Sequence, residues 1–225
     1  MKVNIVLSPS QQSWNKCLEG DSEQDHCGLI ANKILQILQK YDCNVFLVPK
    51  FSGTESQILS KVVDSSNFFV NNNQADMSYH LDIHTDAGYA GSGASGFYVS
   101  EAGKAFILQI YREIAKITPW DDGTVRERNL YVLKHTQAIA GLIEVSFHDN
   151  VDQAKWIHAN VDGIASAIVK GLENATGIEK VTEPQHWAEE SYQKLVGAGY
   201  EINDRRFDDA LTRAEYFVLE AQKIK

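Results

Sequence analysis

A chain of 225 residues that is 44% hydrophobic can bury the core of one α/β domain with an appendage, or of two small domains. Its formal net charge of −9, with 30 acidic against 21 basic residues and no Lys/Arg cluster, argues against a nucleic-acid-binding surface. No apolar run reaches the length of a membrane span, and the composition carries no signature of disorder.

The chain enters a strand almost at once, at Val3 to Leu7, closed by Ser8-Pro9-Ser10. That start lacks the long apolar segment and small-residue cleavage site of a signal peptide, so the chain is expected to be made in the cytoplasm without an export signal of its own. Cys17, Cys27 and Cys43 are an odd set without CxxC spacing. They read as free thiols, and a zinc–thiolate site built on them is not expected. After a polar loop, Asp21 and Ser22 are good helix caps, with Glu23, Gln24 and Asp25 in the first turn, where negative charge suits the helix dipole. Leu29, Ile30, Ile34, Ile37, Leu38 and Tyr41 continue as an apolar helical stripe.

A second buried strand is predicted over Cys43 to Val48, and a helix capped by Thr54 runs to about Asn72. In 78–87, Tyr79, Leu81 and Ile83 alternate with His80, Asp82 and His84, the period of a strand. Gly96 to Ser100 is a fourth strand, Glu101 to about Ile117 a helix, and Leu130–Leu133 and Gly141–Phe147 two more strands. Asp149 or Asn150 caps a last helix that carries Trp156, Ile157, Val161, Ile164, Ile168 and Leu172 toward Gly177. Strands alternating with helices of this length imply an α/β fold, with a largely parallel six-stranded sheet covered by helices on both faces. The expected organisation is a domain over 1–177, a polar linker over 178–184 and a small helical module over 185–225, too short to bury an independent core.

Polar groups gather at the ends of these elements. Glu23 and His26 lie three apart in a first helical turn and share a face, a workable metal half-site. His84 ends its strand before a glycine-rich turn, and Glu144 interrupts the apolar run Leu142-Ile143-Glu144-Val145 beside His148. Parallel strands present ligands at their carboxyl edge, where Ser8–Gln12, His84 and Glu144 can converge. Glu and His donors with an unligated carboxylate describe a catalytic zinc site, in which the metal keeps a position open for water and the carboxylate takes its proton. Burial would raise Glu144 toward the range of a general acid or base.

Four segments, within residues 3–175, carry a resemblance: Val6-Leu7-Ser8-Pro9-Ser10; Ser22-Glu23 followed by Ile30-Ala31; Asp82-Ile83-His84-Thr85-Asp86-Ala87; and Leu130–Leu133 followed by Leu142–Asn150. Together they resemble the zinc-dependent N-acetylmuramoyl-L-alanine amidase family, type 3, found in cell-wall hydrolases and phage endolysins. The resemblance implies a twisted, mostly parallel six-stranded sheet flanked by helices. It implies Glu23 and His84 as Zn2+ ligands, Glu144 as the catalytic acid/base, and peptidoglycan as substrate, cut at the amide between N-acetylmuramic acid and L-alanine. The family's first zinc His, usual in a "P-G-H" context, is absent: Pro9-Ser10 is followed by Gln11. His26 is the first choice to replace it, Gln11 or Gln12 the second and His148 the third, with Asn15 and Asp86 expected to touch substrate or support the ligands. His80 is read as core.

The tail has its own resemblance. His186-Trp187-Ala188, Leu195, Gly197, Arg206-Phe207 and Leu211–Glu215 are similar to one surface-layer-homology-type repeat, implying wall binding, docking or a homodimer; the plainer alternative is a helical hairpin anchored by Trp187 and Phe207. The expected place of action is the wall, reached after phage- or lysis-associated release. The rival reading is a wall-binding or structural module that lost catalysis with its first zinc ligand, and it predicts no stoichiometric metal.

Overall fold

Apolar residues fill every second position, or every position, of the strands that become central. Val3–Pro9 (β1) is buried throughout, and Met77–Asp86 (β3) and Ile139–Phe147 (β6) are buried over most of their length. The computed structural model describes residues 1–88, 91–120, 123–181 and 194. Its six strands also include Asn44–Leu47 (β2), Ser95–Tyr98 (β4) and Thr124–Glu127 (β5), in the sheet order β2-β1-β3-β6-β4-β5. All neighbouring pairs are parallel except β4 and β6, which run antiparallel. The α/β fold with a mostly parallel six-stranded sheet is therefore as the sequence implied.

Helices cover both faces. Glu23–Leu38 (α1), Glu101–Ile117 (α3) and Val161–Thr176 (α6) pack Ile30, Ile34, Ile107, Ile110, Ile164 and Ile168 against Ile5, Leu7, Leu81, Ile83 and Ile143. Opposite them, Glu55–Asn72 (α2) and the short Tyr131–His135 (α4) bury Val62, Val63 and Val132 on Val6, while Leu133 joins Phe97, Ala140 and Leu142. Strand residues alternate between the two faces. In register, Ser8, Asp82 and Leu142 lie on the α2 side, and His84 with Glu144 one step further along. Ile83, Thr85 and Ile143 turn toward α1.

Two element assignments differ from the sequence reading. Leu130–Leu133 is not a strand: Tyr131–His135 is one helical turn and a half, and the sixth strand is Thr124–Glu127. A four-residue apolar run has no period to distinguish the two states, and here Val132 and Leu133 face different apolar clusters on the sheet. The last predicted helix is also two, Val151–Ala159 (α5) and α6, broken at Asn160, whose φ of −122° and ψ of 22° leave the helical region. Gly177 ends α6 in the left-handed region, at φ 70°.

Residues Met1–Lys180 form one compact unit. Among the described residues no helix is long and apolar enough to cross a membrane. The module expected over 185–225, with its hairpin, its wall binding and its dimer, lies outside the described residues, Lys194 apart.

Candidate active site at the carboxyl edge of the sheet

Ser22 fixes the start of α1. Its hydroxyl accepts from Asp25 N, while the Asp25 carboxylate accepts from Ser22 N and Ser22 Oγ, a complete capping box. Glu23 thereby occupies the first turn at the sheet edge. There Glu23 Oε1 lies 2.8 Å from His84 Nδ1, and its Oε2 accepts from Asn15 Nδ2 at 2.7 Å. The Glu23 side chain is 2% exposed and that of His84 18%, so the pair is reached from solvent through the imidazole.

Burial lowers an imidazole's pKa, but the Glu23 hydrogen bond and charge outweigh it and carry His84 up to about 9. For Glu23 burial acts upward, yet His84, with the Ser10 hydroxyl and the Asn15 amide, holds it below the usual carboxylate range. The two form a partly buried ion pair.

Glu144 stands beside His84 in register across β3 and β6. Its Oε2 is buried with no hydrogen-bond partner. Burial pushes its carboxyl up to about 8; the His84 charge pulls down, while Asp86 and Glu23 add to the rise. Such a group takes or gives a proton near neutrality.

A catalytic zinc uses about three protein donors and keeps one position open. Glu23 and His84 put a carboxylate and an imidazole side by side, and the unpartnered Glu144 oxygen lies at the next strand. These donor types suit a divalent ion, but they are two of the about three that a catalytic zinc uses, and a third would have to come from the residues bordering Glu23.

The other residues singled out in the sequence are placed as follows. Gln11 is buried with both ends of its amide used: Nε2 donates to Pro9 O at 3.1 Å and Oε1 accepts from Phe51 N at 2.9 Å. Gln12 lines a cavity of about 200 Å³ that opens beside His84 between α2, α4 and the sheet, with Trp14, Ile58, Tyr131 and Leu142 also in its wall. Asn15 bridges Glu23 and His148, its Oδ1 lying 3.1 Å from His148 Nε2. His148 is buried, its Nδ1 at 2.9 Å from Thr85 Oγ1 and 3.0 Å from Thr85 O. Asp86 accepts from Ala87 N at the strand end. His80 is core, held between Ser66 and Asp82.

His26 is not brought to the Glu23–His84 pair. It is wholly buried, with Nε2 2.6 Å from Thr85 Oγ1 and Nδ1 3.2 Å from Asp21 Oδ2. Thr85 and His84, consecutive in β3, point to opposite faces. His26 meets Thr85 and Glu23 meets His84, so the two residues of the helical pair serve different neighbourhoods. Around His26 stand Cys17, Asp21 and His158, a second group of potential metal donors that the thiol count did not suggest. Trp14 and Tyr131 were also not singled out; as lone aromatics in a loop and a short apolar run they carry no sequence signal of a cavity wall.

A family model described as N-acetylmuramoyl-L-alanine amidase, Amidase_3, matches residues 5–174. No protein of curated function matches the sequence. Among solved structures, the chain is similar to the catalytic domain of CwlV, an N-acetylmuramoyl-L-alanine amidase from Bacillus (Paenibacillus) polymyxa var. colistinus, with a TM-score of 0.67, 21% identity, and coverage of 80% of this chain and 100% of that one. An N-acetylmuramoyl-L-alanine amidase of Clostridium difficile 630 gives a TM-score of 0.63 at 21% identity, covering 77% and 96%. The catalytic domain of an endolysin targeting Clostridia difficile gives 0.60 at 21% identity, covering 77% and 97%. At these identities the structures speak for the fold.

Proposed function

Because the chain belongs to the N-acetylmuramoyl-L-alanine amidase family, Amidase_3, we propose that it is a zinc-dependent peptidoglycan amidase using Glu23 and His84 as metal ligands and Glu144 as acid and base. The bond cut is the amide joining the lactyl group of N-acetylmuramic acid to L-alanine, and the place of action is the bacterial cell wall. The observation that carries the reading is the Glu144 Oε2 oxygen, buried without a partner next to the Glu23–His84 pair.

Zinc, when bound, polarises the scissile carbonyl and makes a water acidic enough to attack it. Glu23 and His84 would hold the ion with one anionic and one neutral donor, which requires His84 to lose the proton that Glu23 stabilises. Asn15, bonded to Glu23 Oε2, fixes the carboxylate's rotation. Glu144 takes the proton of the attacking water and delivers it to the departing alanine nitrogen. In the metal-free protein burial holds its carboxyl up to about 8, and a dication at Glu23 and His84 would pull it down toward the ionised form that accepts the water's proton. The cavity beside His84, walled by Trp14, Tyr131 and Ile58, gives the substrate an apolar wall.

Purified peptidoglycan incubated with zinc-loaded protein should release peptides with new L-alanine amino termini while the glycan strands stay intact. New reducing ends, or cuts within the peptide, would point to a different bond. Undigested wall from a protein that binds no metal would favour the wall-binding module instead.

A further inference from the structure

We propose that Cys17, Asp21, His26 and His158 form a second metal site, separate from the Glu23–His84 pair, that binds one zinc-like divalent ion as a structural clasp. The four donors share no residue with that pair. Their ligand atoms all lie within 4.8 Å of one another.

Three of the six separations are those of a tetrahedral sphere, and the remaining ones need only a small inward shift from within 4.8 Å. With Zn–N and Zn–O near 2.0–2.1 Å and Zn–S near 2.3 Å, neighbouring N and O ligands lie about 3.3 Å apart and S and N about 3.5 Å apart. Here His158 Nε2 is 3.3 Å from Asp21 Oδ1, and His26 Nδ1 is 3.4 Å from the same oxygen. Cys17 Sγ is 3.6 Å from His158 Nε2. Direct charge-assisted hydrogen bonds would draw N and O closer, to about 2.7–2.9 Å. One thiolate, two imidazoles and one carboxylate oxygen suit zinc rather than magnesium or calcium, which prefer all-oxygen shells. The charges also balance: the thiolate and carboxylate neutralise a dication, and binding sends the Cys17 thiol proton to solvent.

The chain prearranges these donors. Cys17 N donates to Asp21 O and Gly20 N to Cys17 O, folding 17–21 into a tight turn whose Gly20 sits at φ 96°. Lys16 and Ser22 bridge at its base, and His26 follows on α1. The Thr85 hydroxyl, 2.6 Å from His26 Nε2, can accept the remaining ring N–H and so leave Nδ1 as the donor atom. The ion has a route in, since the side chains of Asp21 and His158 are 24% and 30% exposed while His26 is closed. Bound there, it would tie the 17–21 turn to both α1 and α5. That turn follows Asn15, whose amide holds Glu23, so the clasp also steadies the first ligand of the catalytic pair.

The test uses the full chain, stripped of metal and titrated with Co2+, whose sulfur-to-metal charge-transfer absorption reports a thiolate ligand. The parent should develop this band to one equivalent. It should persist in Cys43→Ser and His84→Ala, vanish in Cys17→Ser, and require roughly tenfold or more Co2+ in His158→Ala. His158 is partly exposed, so that variant reads the site even where Cys17→Ser fails to fold. No thiolate band in the parent, or a band unchanged in Cys17→Ser or His158→Ala, overturns the proposal.

Discussion

Replacing Glu144 by Gln should cut activity sharply and at the same time stabilise the metal-free protein. In an unfolded chain the carboxyl ionises with a pKa near the ordinary 4.5, but in the folded protein burial holds it up to about 8. Between those values the folded state keeps a proton that the unfolded state has released. Stability must therefore fall as pH rises through the window from 4.5 to 8 and level off above it. At pH 7 the penalty comes to about 3–3.5 kcal/mol, from roughly 2.5 pH units at about 1.4 kcal/mol each. Glutamine has nearly the same shape and no charge to lose, so Glu144→Gln escapes the penalty. Urea midpoints of parent and variant in chelator should coincide near pH 4.5 and separate by about 3–3.5 kcal/mol at pH 7. Peptidoglycan cleavage by the zinc-loaded variant should drop by about 10²–10⁴-fold. A gap that does not grow with pH would refute the buried-carboxyl account, and a fully active variant would remove Glu144 from the chemistry.

Further outcomes follow from the geometry. Glu23→Gln removes the charge that holds His84 up to about 9 while leaving the burial that opposes it, so the His84 ring should titrate several tenths of a unit or more lower by NMR in metal-free protein; a ring still titrating near 9 would assign the shift elsewhere. The same pair stabilises the fold fully between the ordinary carboxylate and histidine pKa values; that contribution is lost as pH rises through about 9, and again in acid as Glu23 takes up its proton below the usual carboxylate range. Ser22→Ala breaks the α1 capping box, at about 1 kcal/mol or roughly 2–4 °C in Tm, and it should also weaken metal binding through Glu23, measured by dialysis against a zinc buffer. Gly171→Ala pits helix propensity, worth up to about 1 kcal/mol in its favour, against packing: its Cβ would sit 2.4 Å from Ile110 Cα on α3. Backbone cannot swing aside as a side-chain tip can, so overpacking of about 1–3 kcal/mol wins and the variant should melt lower. A higher melting temperature would show that α3 and α6 separate easily.

Much of this architecture was legible because single residues announce it. Ser22 and Thr54 cap where their side chains suggested, and each proves to close a capping box. The alternation through 78–87 placed His84 at a strand end, and the interrupted run at 142–145 marked Glu144. What escaped was set by tertiary contact. Leu130–Leu133 became a helical turn because its apolar residues divide between two clusters. The role of Gln11, tying Pro9 to Phe51, depends on a loop far along the chain. The Cys17 group depends on His158, which reaches it only once α5 has packed.

The separate fates of Glu23 and His26 show why helical phase could not assign them. Residues three apart share a stripe, but a stripe that runs past the end of a sheet meets different surroundings turn by turn. Glu23, in the first turn, lies where β3 ends and takes the imidazole of His84 on the far face. His26, nearly a turn deeper, is covered by β3 itself and takes the hydroxyl of Thr85 on the near face. Strand alternation, not helix periodicity, decides which partner each one finds. Any replacement for the family's first zinc histidine must therefore come from what borders Glu23 at the edge. Ser10 and Asn15 already bond that carboxylate, and Gln12 lines the cavity that His84 opens on. Of Asn15 and Gln12, Asn15 also reaches back, through His148 and Thr85, to the residues around His26. A substitution at Asn15 should thus disturb Glu23 and the Cys17 cluster together, whereas one at Gln12 should disturb the cavity alone.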